Sequence, residues 1–172
     1  MNKASFLLGL GVGILIVSAA ILWRPRFNPG RCDTNCTGCV IAFDLSQRGI
    51  KCKARNFEPA AIGVSGLLKA IYPDSVEQEV PAGFRALKNA LLEGGQRGYL
   101  RYIRKDGSRH VVAFFIKDGR VMIMDAQSYD FAIPLRVFLW TDRGETYRFA
   151  RLDNIGFSDC ELLDRLVERS GK

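Results

Sequence analysis

Asp33-Thr34-Asn35-Cys36-Thr37-Gly38-Cys39-Val40-Ile41-Ala42-Phe43-Asp44-Leu45-Ser46-Gln47-Arg48-Gly49 reads as a single helix. Asp33 or Thr34 can supply the N-cap oxygen and Gly49 the C-terminal stop. Its apolar residues, Cys39 to Phe43 and Leu45, run nearly all round the helix instead of down one stripe, the pattern of a helix buried on every side. Such a helix needs other layers to cover it, and the rest of the chain supplies candidates.

Downstream, the pattern predicts a short strand over 50–54 and a helix over 61–71 ended by Tyr72-Pro73-Asp74. A further helix opens with Pro81 in its first turn and carries Phe84, Leu87, Leu91 and Leu92 to the stop at Gly94-Gly95. Three strands follow at 98–104, 109–116 and 120–127, separated by turns that contain Asp106-Gly107 and Asp118-Gly119, which is an antiparallel meander. A strand over 146–152 and a closing helix over 159–169 complete an α+β pattern: helices first, sheet later, with the 33–49 helix central.

Upstream, residues 4–23 carry no charge and are rich in Leu, Ile, Val and Gly. At ~1.5 Å per residue that is long enough to cross a hydrocarbon core of about 30 Å. Lys3 and the small residues Val17-Ser18-Ala19 also fit a cleaved secretory signal. The apolar run continues to Trp23, however, and meets Arg24 and Arg26 where an interfacial anchor belongs, so a retained single-pass segment over 1–26 is the expectation. Arg24, Arg26 and Arg31 outweigh Lys3 and the amino terminus slightly, a bias toward a cytoplasmic domain. Residues 27–34, broken by Pro29 and Gly30, read as a short linker within a domain spanning 27–172.

The 172 residues include five cysteines, an odd number in a chain long enough to fold without disulfide staples, so at least one thiol should be free. Lys and Arg outnumber Asp and Glu by 25 to 18. The surplus is scattered and forms no tract, which argues against a nucleic-acid footprint and leaves weak attraction to anionic lipid or an acidic partner.

One histidine, His110, is the sole imidazole available as a proton shuttle near neutral pH. It stands near the start of an apolar strand, where it could equally be a core histidine satisfied by a backbone carbonyl. If Asp118-Gly119 forms a two-residue type I′ turn, Lys117 pairs with Arg120. Counting back then sets His110 opposite Gln127, with Asp125 on the same face as an orienting carboxylate. A one-residue bulge at Gly119 would turn Asp125 to the other face, and Asp125 could also simply cap a turn. For the nucleophile, Cys36 lies in the first turn of the buried helix, where free amides and the helix dipole favour a thiolate and an oxyanion. Cys39, the alternative nucleophile, comes one turn later and reads as a packed thiol. The Cys-x-x-Cys spacing also fits a metal knuckle or a redox pair, but no second pair stands at ligand spacing and the βαβ context is missing.

Residues 35–42 with Leu45 and Arg48-Gly49, then Arg97-Gly98, His110-Val111-Val112, and Gly119-Arg120-Val121 running into Asp125-Ala126-Gln127, resemble the motifs of papain-fold toxin domains of bacterial polymorphic toxins and injected effectors. The match covers about residues 33 to 152. Ser108-Arg109 precedes the histidine where relatives tend to have glycine, and a hydrophobic segment stands in place of a long delivery architecture. The resemblance implies a papain-like fold, a Cys36-His110-Asp125 triad, Asn35 as an oxyanion contributor and Gln127 as a supporting residue. It also implies deamidation of glutamine in a protein substrate without cofactor or metal, with a cognate immunity protein as a further partner. The same thioester chemistry serves a cysteine peptidase or a transglutaminase. A membrane-tethered binding module with structural thiols is the rival of a different class.

Overall fold

The computed structural model describes residues 26–57 and 63–170. The expected membrane segment therefore lies outside the described residues, except for Arg26. Among the described residues, no helix is long and apolar enough to cross a membrane.

Helix α1 (Cys36–Gln47) buries every residue from Cys36 to Leu45, as its all-round apolar pattern requires. It starts later than the sequence suggests. Asn35 takes the N-cap position and makes no side-chain cap, while Asp33 and Thr34 form a turn before it. Gly49 stops the helix at φ +82°, the left-handed conformation glycine adopts without penalty.

Strand β1 (Cys52–Ala54), helix α2 (Gly63–Ile71), strand β2 (Gln78–Val80) and helix α3 (Phe84–Glu93) follow. The first residues of the helix expected over 61–71 lie outside the described residues. Pro81 stands outside α3, between β2 and the N-cap Gly83. The central hairpins are β3 (Arg97–Arg104), β4 (Arg109–Lys117) and β5 (Arg120–Met124); then come β6 (Ile133–Pro134), α4 (Leu135–Thr141) and β7 (Gly144–Arg151). The chain closes with α5 (Glu161–Leu166) and β8 (Val167–Arg169).

All pairing is antiparallel: a six-stranded sheet runs β2-β7-β3-β4-β5-β6, and β1 pairs separately with β8. The meander β3-β4-β5 is as read from the sequence, but β7 returns to the free side of β3. The fold is thus α+β, with helices on both faces of the sheet. One core joins α1, α2, α5 and the β1–β8 ribbon to Tyr99, Val111, Ala113 and Ala150. The other joins α3 and α4 to Leu100, Val112, Phe114, Ile123 and Phe149. Two covered faces explain why β4 is apolar at successive positions where a half-exposed strand would alternate.

Three further expectations are corrected. Residues 27–34 are no loose linker: Phe27 is in the first core, and its carbonyl accepts the Ala54 N–H at 2.8 Å. The closing helix ends at Leu166, because the next three residues extend to pair with β1. Strand β5 ends at Met124, where the Asp125 carbonyl accepts the N–H groups of Ser128 and Tyr129 and turns the chain away.

Candidate active site

The site forms where the sheet splits. β4 and β5 stay paired only from Lys117–Arg120 to Ala113–Met124, and beyond that point the 125–129 turn diverges. The N-terminus of α1 meets the freed end of β4 there. Asp118 and Gly119 both have positive φ (+51° and +69°), as a type I′ turn requires, so no bulge intervenes and Asp125 stays on the His110 face.

Cys36 opens α1 and is 7% exposed. Burial works against its thiolate. The proximity and positive charge of His110, with the Val111 backbone and the Thr37 side chain, outweigh that and bring its pKa below the ordinary value. The converse holds for His110, the second residue of β4. Burial opposes the imidazolium, while the close carboxylate of Asp125 and the neighbouring Cys36 sulfur raise its pKa to about 9. Asp125, although burial pushes the other way, is held below the usual carboxylate value by His110, with help from Ser128 and the Gln127 backbone. The three groups favour thiolate, imidazolium and carboxylate together.

Asp125 divides its oxygens. Oδ1 accepts the Gln127 N–H at 3.3 Å, which caps the turn, and Oδ2 stands 3.3 Å from His110 Nε2. The latter is ion-pair proximity and not an aligned hydrogen bond, and Nε2 remains a buried nitrogen without an aligned acceptor. Turn cap and imidazole partner, alternatives in the sequence, are both realised by this one side chain.

Cys39 is fully buried, and desolvation, with the neighbouring Cys36, raises its pKa far above the ordinary range. Its thiol points to Asn35 Oδ1 at 3.4 Å. All five cysteines are free. Among the described residues, no group of three or more His, Cys, Asp or Glu stands where a metal ion could be held.

Asn35 and Gln127 act on the frame. The Asn35 amide donates to Asn28 Oδ1 at 3.0 Å and to the Arg55 carbonyl at 3.3 Å, so it is committed away from an oxyanion. Gln127 Nε2 donates to the Cys32 carbonyl at 2.9 Å, tying the turn after β5 to the loop before α1. The N–H groups of Cys36, Thr37 and Gly38 precede the first helical hydrogen bond, Cys39 N–H to the Asn35 carbonyl, and are the donors available at the helix start.

Asn28, missed in the sequence, is buried and central. Its Nδ2 donates to the Cys32 and Gln127 carbonyls, and its Oδ1 accepts from Cys32 N–H and Asn35. Only its place before Pro29-Gly30 hinted at a turn. Tyr102 pairs with His110 across the β3–β4 ladder, its ring edge-on to the imidazole at 5.7 Å. Counting back through the Asp106-Gly107 turn would have found it.

The chain matches no family model, no curated protein and no solved structure.

Proposed function

We propose that this chain is a membrane-anchored, papain-like cysteine amidohydrolase that deamidates glutamine in a protein substrate, a role in keeping with a toxin or effector. The observation that carries the reading is the meeting of Cys36, His110 and Asp125 at the start of a buried helix, with charges biased toward thiolate and imidazolium. The uncharged run over 4–23 supports the anchor. The described chain enters beside the site, where the Arg26 N–H donates to the Asp130 carboxylate.

In the proposed reaction, the Cys36 thiolate attacks the carboxamide carbon and the free amides at the start of α1 receive the oxyanion. His110 gives its proton to the departing nitrogen, the C–N bond breaks, and ammonia leaves a thioester. Water, losing a proton to His110, then attacks the thioester; the C–S bond breaks, glutamate is released, and thiolate and imidazolium are restored. Asp125 holds the ring and stabilises its charged form throughout.

Intact-mass analysis after brief exposure to a glutamine-mimicking electrophile tests this reading. One fast adduct is expected, lost in Cys36→Ala, retained in Cys39→Ala and slowed in His110→Ala. Labelling on Cys39 would move the nucleophile by one helical turn, whereas slow labelling indifferent to His110 would refute the triad and leave the binding-module reading.

A further inference from the structure

Past the N-terminal end of α1, the sheet face on which this helix packs lies open. Strand alternation places Arg101 and Ile103 of β3, Arg109 of β4, Thr146 and Arg148 of β7 and Glu79 of β2 on that face, in register with Val111 and Tyr99 of the α1 core. These six residues line a groove of about 360 Å³. Its lining adjoins the site along the ladder, on the α1 side of the sheet: Arg101 pairs with Val111, whose backbone meets the Cys36 thiol, and Arg109 is the chain neighbour of His110.

The charges of the groove are unequally matched. Arg101 donates to both carboxylate oxygens of Glu77, at 3.1 and 2.7 Å, and Arg148 donates to Glu79 at 2.8 Å. Arg109 is exposed and has no ionic or hydrogen-bonding side-chain partner among the described residues. The groove cation adjacent to His110 in the chain is therefore the unmatched one. A guanidinium presents a planar fork suited to a carboxylate, and Ile103 gives the groove an apolar surface for a side-chain stem.

We infer that this groove holds the polypeptide segment flanking the attacked amide and that Arg109 selects an acidic side chain in it. The inference rests on Cys36 being the nucleophile, since that is what makes the groove a substrate site. A basic segment would face Arg109 without a counter-charge and is disfavoured by the same geometry.

Fluorescence anisotropy on the full chain carrying Cys36→Ala reads binding without turnover. The probes are two fluorescein-labelled peptides with a central glutamine flanked on each side by two glutamates or by two lysines. The glutamate peptide should bind at least about ten-fold tighter. Arg109→Gln should remove most of that preference, and Arg109→Lys should restore part of it. Arg120→Gln, which removes the same charge outside the groove, should leave affinity within about two-fold. Equal binding of the two peptides, a preference untouched by Arg109→Gln, or an equal loss in Arg120→Gln would overturn the inference. Failure of the nucleophile reading shows separately, as Cys36 labelling indifferent to His110, and leaves the binding result to be judged alone.

Discussion

A buried thiol beside a buried imidazole must settle which of them carries the proton, and here each neighbour pushes toward charge separation. The thiolate is the reactive form, so a Cys36 pKa below the ordinary value keeps labelling fast as pH falls beneath the usual thiol range. His110→Ala removes the neighbouring imidazolium charge that opposes burial, so the thiol pKa rises. Alkylation by iodoacetamide at pH 6 should then fall by about ten-fold or more, with a smaller loss at high pH. As pH rises through about 9, His110 gives up its proton. Alkylation, which needs only the thiolate, does not decline there, whereas amide hydrolysis loses its acid and does. The two groups titrate as a pair, so the profiles report the couple. Rate–pH curves of wild type and His110→Ala that superimpose would contradict this account.

At the scale of elements, the helix that carries Cys36 is fixed by how closely the end of α5 and strand β1 of the β1–β8 ribbon approach it. A Cβ on Gly38 would lie 2.9 Å from the Leu166 carbonyl oxygen and 3.4 Å from Ala54 Cβ. Helix propensity alone would make Gly38→Ala stabilising by about 1 kcal/mol. The contact is to backbone, which cannot swing aside, so the substitution should instead destabilise by about 1–3 kcal/mol and slow Cys36 labelling as α1 shifts. Chemical denaturation reads the sign, and a gain in stability would show that the ribbon yields freely. Nothing in residues 159–169 announced this ribbon. Leu162, Leu163 and Leu166 suit a longer helix, and only the partner strand 52–54 draws Val167–Arg169 into extension. Helix α4 and strand β2 were likewise too short for periodicity to declare them. The β4–β5 hairpin was legible in its register as far as Ala113–Met124 because Asp118-Gly119 specifies the turn locally; the expected His110–Gln127 pair does not form, and it is the turn after Met124 that carries Asp125 to His110.

Across the whole molecule, one carboxylate joins parts far apart in the chain. Asp44, buried in α1, accepts from Arg48 Nε at 2.8 Å, from Arg97 Nε of β3 at 2.9 Å and from the Tyr72 hydroxyl after α2 at 2.9 Å. Arg48 also reaches the Leu152 carbonyl at 2.8 Å, just after β7. Sequence placed Arg48 and Arg97 among motif residues without a reason; the reason is that both close on Asp44. That acid was passed over because a lone Asp in an apolar helix carries no local signal of its partners. Asp44→Asn keeps the shape but leaves two guanidinium groups without counter-charge. Removing one partner of a fully buried pair costs about 3–5 kcal/mol. Here the arginine side chains keep some access to water, 18% and 22%, so a loss of about 2–3 kcal/mol is expected in urea unfolding. Asp44 lies two helical turns beyond Cys36 and touches no residue of the triad, so labelling of the folded variant should proceed at the wild-type rate. Unchanged stability would mean that the two arginines find water as good a partner. A slowed Cys36 in a fully folded variant would mean that the charge network reaches along α1 to the thiolate, and the site would then extend through the core to the far end of its helix.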